Sequence, residues 1–162
     1  MARRVFFSFH YERDIWRANQ VRNSWVTKDR EEAGFVDAAS WEAIQRQGDE
    51  AIKRWIKNQL EGTSVTVVLI GKETAQREWV KHEIIESYNK GNGLLGVYIH
   101  NIKDQNGYTD TKGTNPFDLL HIEREGRKVL LSEMYSIYDW VLNDGYHNFA
   151  DWVEEAARKA GK

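Results

Sequence analysis

Apolar residues follow two rhythms along this chain, short unbroken runs and runs at helical spacing, and the two alternate. Val5-Phe6-Phe7-Ser8-Phe9 reads as a buried strand. Asp14 then stands as the cap of a helix to about Trp25, with Ile15, Ala18, Val21 and Trp25 inward. A polar connection, Thr27 to Ala33, leads to Gly34-Phe35-Val36-Asp37, a short second strand. Asp49 caps the next predicted helix, where Ile52, Trp55, Ile56 and Leu60 share a face and Gly62 is the stop. Val65 to Ile70 is the clearest buried strand. The polar loop Gly71 to Glu78 opens a helix to about Asn89, stopped near Gly91 or Gly93, and Leu94 to Ile99 is another strand. Beyond Ile102 the rhythm changes. Lys103 to Pro116 reads as a long loop, Val129-Leu130-Leu131 as a further strand, and Asn148 with Asp151 as the start of a last amphipathic helix.

Strands with near-continuous apolar runs, alternating with helices, predict a parallel sheet covered on both faces. No repeat, low-complexity tract or interdomain linker interrupts the pattern. The expected architecture is one domain over residues 1–162, a flavodoxin-like α/β/α sandwich of three layers with a central, mostly parallel sheet of about five strands.

Composition narrows the function classes. With 41% hydrophobic residues the chain can bury a core, and its formal net charge of −2 argues against bulk binding to nucleic acid or an acidic membrane. Cysteine is absent, which removes disulfides, a thiol nucleophile and thiolate metal sites. Val5-Phe6-Phe7 is too short for a signal peptide and no stretch is long enough to span a bilayer, so a cytoplasmic protein is expected.

The most informative stretch is Trp79-Val80-Lys81-His82-Glu83-Ile84. Trp79 and Glu83 lie one helical turn apart, with Val80, Ile84 and Tyr88 as the adjacent core-facing stripe. Glu83 is therefore expected at the border of core and solvent. In open α/β sheets ligands bind beyond the carboxyl ends of the strands. Three segments converge there: Ser8, Phe9, His10 and Tyr11 after the first strand, Asp37 and Trp41 after the second, Trp79 and Glu83 after the third. Rings that stack and acids that hold hydroxyls suit a nucleotide or glycoside. Each residue also has a plainer role: Glu83 as a solvated helix face, His10 and Asp37 as caps, Trp41 as packing. No Gly-x-Gly-x-x-Gly turn, phosphate-binding loop, Gly-x-Ser-x-Gly elbow or metal-ligand spacing among the five histidines is present.

Val5-Phe6-Phe7-Ser8-Phe9-His10-Tyr11 with Asp14 resembles the first-strand motif of TIR domains, and the Trp79–Ile84 stretch resembles their Trp-x-x-x-Glu helix motif. Residues 21–28, 63–71 and 112–118 narrow the resemblance to the TIR-like subunit of the Thoeris anti-phage system. It covers about residues 3 to 120. The resemblance implies a flavodoxin-like TIR fold and chemistry on NAD, with Glu83 as the glutamate needed to break the nicotinamide glycosidic bond. It further implies a cyclic ADP-ribose isomer that activates a separate effector, a phage-derived trigger and a homo-oligomer. NAD enters as substrate, with no permanently bound cofactor and no metal. His10-Tyr11 departs from the loop many TIR domains carry.

The chemistry stands without the resemblance. Nicotinamide leaves as a neutral base, so no acid is required, and the ribose develops oxocarbenium character. One ionised carboxylate in a site closed to bulk water can stabilise that charge or hold the ribose hydroxyls. Two rivals remain: a non-catalytic TIR module acting by self-assembly, which has no need of Glu83, and a flavodoxin-like flavin binder, which lacks a hydroxyl-rich phosphate loop.

Overall fold

The computed structural model describes residues 3–26, 31–33 and 38–162. Along them run β1 (Arg4–Ser8), α1 (Ile15–Val26), β2 (Glu31–Ala33), α2 (Ala38–Arg46), α3 (Asp49–Leu60), β3 (Val65–Ile70), α4 (Glu78–Lys90) and β4 (Gly93–Tyr98). After them come β5 (His121–Arg124), β6 (Arg127–Leu130), β7 (Ile137–Asp139) and α5 (Gly145–Lys159). The main sheet has the order β2-β1-β3-β4-β7 with every neighbouring pair parallel. This is the flavodoxin-like order expected of the alternating pattern.

Burial follows from the run of apolar residues. β3 is buried along its whole length, as a central parallel strand with helices on both faces requires. Side chains on β1 alternate between the two faces. Phe7 stacks on Phe149 of α5, with ring centroids 6.1 Å apart, while Ser8 points to α4. Phe149 also meets the edges of Trp25 and Trp140, so α1 and α5 share an aromatic core. On α4, Val80 and Ile84 are buried against Val68 and Ile70.

Several elements differ from the sequence expectation. β2 falls within the stretch assigned to a connection, and Gly34 to Asp37 lies outside the described residues. Trp41 sits on α2, a helix the apolar spacing does not announce. α3 is capped by Gly48 at φ 97°, and Asp49 instead begins the first turn with Glu50, where acidic groups favour the helix dipole. α4 ends at Gly91, whose φ of 90° is the left-handed conformation that closes a helix. Val129 to Leu131 gives no strand to the main sheet. β6 pairs antiparallel with β5, because Glu125 and Gly126 both take positive φ and turn the chain back within two residues. The fifth sheet strand is β7, three half-buried residues with no apolar run to mark them. α5 starts at Gly145 rather than Asn148, since the Gly145 N–H donates to Trp140 O at 2.7 Å and the Trp140 ring occupies the space a side chain would need.

From β1 the chain goes to β2 on one side, then crosses to β3 on the other. The strand order reverses between β1 and β3, and the crevice beyond their carboxyl ends is where this fold places a ligand.

Candidate functional site

Glu83 lies at that switch point and is fully buried, not at a solvent border. Its helix turn packs directly onto the end of β1. Ser8 Oγ donates to Glu83 Oε1 at 2.6 Å and Tyr11 Oη donates to Oε2 at 2.7 Å. Both carboxylate oxygens are thus held by neutral hydroxyls, with no cation in hydrogen-bonding contact among the described residues. Burial pushes the Glu83 carboxyl from 4.5 to about 8, against the smaller opposing effect of the two hydroxyls. Burial, with the neighbouring Glu83, also raises the Tyr11 phenol well above its ordinary value. At neutral pH this closed arrangement keeps a proton on Glu83.

A chain of buried hydroxyls fixes α4 from below. Ser87 Oγ donates to Glu83 O at 2.7 Å and meets Thr66 Oγ1 of β3 at 2.7 Å. Asn92 Nδ2 donates to Thr66 Oγ1 and to Thr63 Oγ1. The backbone that carries Glu83 is therefore tied to β3 by satisfied polar contacts inside the core.

Rings cover the carboxyl. Tyr11 lies 4.6 Å from Phe9 and 4.7 Å from Trp41, centroid to centroid. Phe9, Tyr11 and Trp41 are all buried, with Tyr11 in contact with both other rings, so the rings expected to line an open rim form a closed cluster. Trp55 of α3 completes it, 5.8 Å from Tyr11 and 5.6 Å from Trp41. Sequence reasoning placed Trp55 on a core-facing helix stripe and missed this contact. The Trp41 indole N–H is buried without a hydrogen-bond partner among the described residues. An unmet donor in a dry cluster is costly, and a ligand oxygen would satisfy it.

Two other expected residues lie nearby with contacts of their own. His10 Nδ1 accepts from the Arg13 backbone N–H at 3.2 Å, bracing the turn into α1. Burial first, then the Arg77 guanidinium, lowers the His10 pKa. Trp79 is half-buried, packs on the core cluster and meets the His82 ring edge-on at 5.7 Å. Asp37 lies outside the described residues.

Charge gathers around the mouth. Arg13 binds Asp110 at 2.6 Å, Asp14 at 3.1 Å and Glu73 at 3.2 Å, joining the loops after β1, β3 and β4. Asp14 is buried beside Gly71, and a Cβ at Gly71 would collide with its carboxylate. Arg77 pairs with the exposed Glu12 at 3.2 Å. Among the described residues no cluster of three or more His, Asp or Glu is placed to hold a metal ion, and no helix is long and apolar enough to cross a membrane.

Residues 6–104, which hold most of β1, Tyr11, Trp41 and all of α4, match the family described as "Thoeris protein ThsB, TIR-like domain". Over 191 aligned positions the chain is 40% identical to "Putative cyclic ADP-D-ribose synthase ThsB1" of Bacillus cereus (strain MSX-D12), covering 94% of this chain and all of that protein.

Proposed function

Since this chain belongs to the Thoeris ThsB TIR-like family, we propose that it cleaves NAD at the nicotinamide glycosidic bond and makes a cyclic ADP-ribose-type signal. The observation that carries this reading is a single carboxyl, Glu83, gripped at both oxygens at the switch point of the sheet beneath an aromatic cluster.

In the reaction, the C1′–N bond of the nicotinamide riboside unit breaks and nicotinamide takes the bonding pair. Positive charge passes to the ribose C1′ and ring oxygen. Ionised Glu83 stabilises that charge through space or accepts hydrogen bonds from the ribose hydroxyls. A hydroxyl or adenine nitrogen of the same molecule then bonds to C1′; a hydroxyl, attacking, gives up its proton. The products are nicotinamide and a cyclic ADP-ribose; the hydroxyl route releases one proton, and the nitrogen route leaves the positive charge on the adenine until its exocyclic amine gives up a proton. Phe9, Tyr11, Trp41 and Trp79 hold the folded-back substrate and exclude water, and the free Trp41 N–H donates to one of its oxygens. Ser8 and Tyr11 orient Glu83.

The closed cluster accounts for a resting enzyme. Substrate reaches Glu83 after the Trp41 ring moves aside, Tyr11 keeping its hydrogen bond to Glu83, and opening the site to water or to the cationic pyridinium releases the Glu83 proton. Residues 1–162 act as one unit in the cytoplasm, with a phage-derived trigger upstream and a Thoeris effector downstream through the small-molecule product.

The test is incubation with NAD, alone and in lysate of phage-infected cells, with mass analysis of products beside Glu83→Gln. Nicotinamide release with a cyclic ADP-ribose mass, lost in the variant, is the expected result. Linear ADP-ribose alone would reduce the reading to a hydrolase. No turnover in either setting would replace it by a self-assembling module.

A further inference from the structure

At the end of the sheet away from Glu83, a cavity of about 490 Å³ opens where β4 begins. The end of α4, the β5–β6 hairpin, the turn after β6 and the end of α5 enclose it. That volume lies in the range of small-molecule sites.

One wall is fixed in advance. Asn92 Nδ2 donates to Thr63 Oγ1 at 3.0 Å and to Thr66 Oγ1 at 3.3 Å, and Asn92 Oδ1 accepts from Lys90 Nζ at 3.2 Å. The backbone from Gly91 to Gly93 is thereby held, and the two glycines leave that wall bare. Leu94 and Met134 supply apolar surface, with Tyr88 and Tyr135 half-buried in the same cluster. A rigid hollow with rings and bare backbone accepts a flat heterocycle at little ordering cost.

Charge selects the other half of the ligand. The charged side chains on the cavity are Arg124 and Lys159, and no carboxylate lines it among the described residues. Arg124 has no ion pair among those residues, whereas Lys159 reaches Glu155 at 3.5 Å. Burial, then the neighbouring Tyr88, raises the Tyr135 phenol, and the Arg124 guanidinium acts against them, so the three groups share one neighbourhood. Neither phenol has a hydrogen-bond partner among the described residues. Helix carbonyls end near the cavity too, but Tyr88 O and Ala157 O are taken by the Gly91 and Lys162 N–H groups. An unpaired guanidinium beside free phenol donors is a set that grips phosphate.

We propose that this cavity binds a nucleoside monophosphate, its phosphate on Arg124, Lys159 and the two phenols, its nucleoside against Leu94, Met134 and the bare backbone wall. The site lies apart from Glu83 and does not depend on the NAD reading.

The test is isothermal titration calorimetry of the full chain with AMP, adenosine and inorganic phosphate. AMP binds at one site per chain, and adenosine and phosphate each bind at least about tenfold more weakly, since each offers half the contacts. Arg124→Gln, at an exposed position, weakens AMP binding by at least about tenfold with an unchanged circular-dichroism melt. Tyr135→Phe, which keeps the ring against Phe117, weakens it about two- to tenfold. Titration without NAD reads the result whether or not the chain turns NAD over. No AMP binding would overturn the inference. So would adenosine or phosphate binding as tightly as AMP, or AMP binding indifferent to Arg124→Gln.

Discussion

Replacing Glu83 by glutamine should make the protein more stable at alkaline pH while abolishing turnover. The folded carboxyl holds its proton to about pH 8, whereas the unfolded one loses it near 4.5. Between those values the folded state binds one more proton than the unfolded state, so stability falls as pH rises. The contribution is fully present below pH 4.5 and gone above about 8. At about 1.4 kcal/mol per pH unit, that interval is worth about 5 kcal/mol at most. A glutamine side chain in this place mimics the neutral acid: its amide oxygen accepts from one hydroxyl and its N–H₂ donates to the other, with no charge to bury. The assay is urea unfolding of wild type and Glu83→Gln from pH 5 to 9. Subtracting the two curves cancels other groups, including His10, whose lowered pKa acts with the opposite sign at acid pH. The variant should match the wild type near pH 5 and exceed it by a few kcal/mol at pH 9. Parallel curves with a constant offset would refute the claim that burial dominates at this carboxyl.

Two further outcomes follow from the same contacts. Tyr11→Phe removes the donor to Glu83 Oε2, so the Glu83 pKa rises further and the acid limb of the kcat/KM profile for NAD moves up by about one pH unit; an unmoved limb would separate Tyr11 from Glu83. Gly71→Ala drives a methyl into the buried Asp14 carboxylate and should cost about 1–3 kcal/mol in urea unfolding, partly recovered by adding Asp14→Ala. A wild-type midpoint for Gly71→Ala would show that the turn yields freely.

The alternation of apolar runs and helical stripes was sufficient to read a parallel, doubly covered sheet, because strand and helix periodicities are local properties of the chain. It was sufficient as well to put Glu83 on a helix after a buried strand, near the residues that follow β1. What it left open depends on contacts between distant residues. Ser8 and Tyr11 meet Glu83 across 75 and 72 positions, and no local pattern records such a contact. Helix spacing placed Glu83 beside the apolar stripe; the close approach of α4 to the end of β1 put it wholly inside, which turned an expected carboxylate into a protonated acid at neutral pH. The strand Ile137-Tyr138-Asp139 is legible only from the edge of β4 that it completes, since three half-buried residues gain their hydrogen bonds and burial from that neighbour. The closed cluster of Phe9, Tyr11, Trp41 and Trp55 likewise belongs to the packing of three separate segments. Local sequence chose the elements and the chemistry they carry, and tertiary packing set the dielectric, the partners and the protonation state in which that chemistry waits.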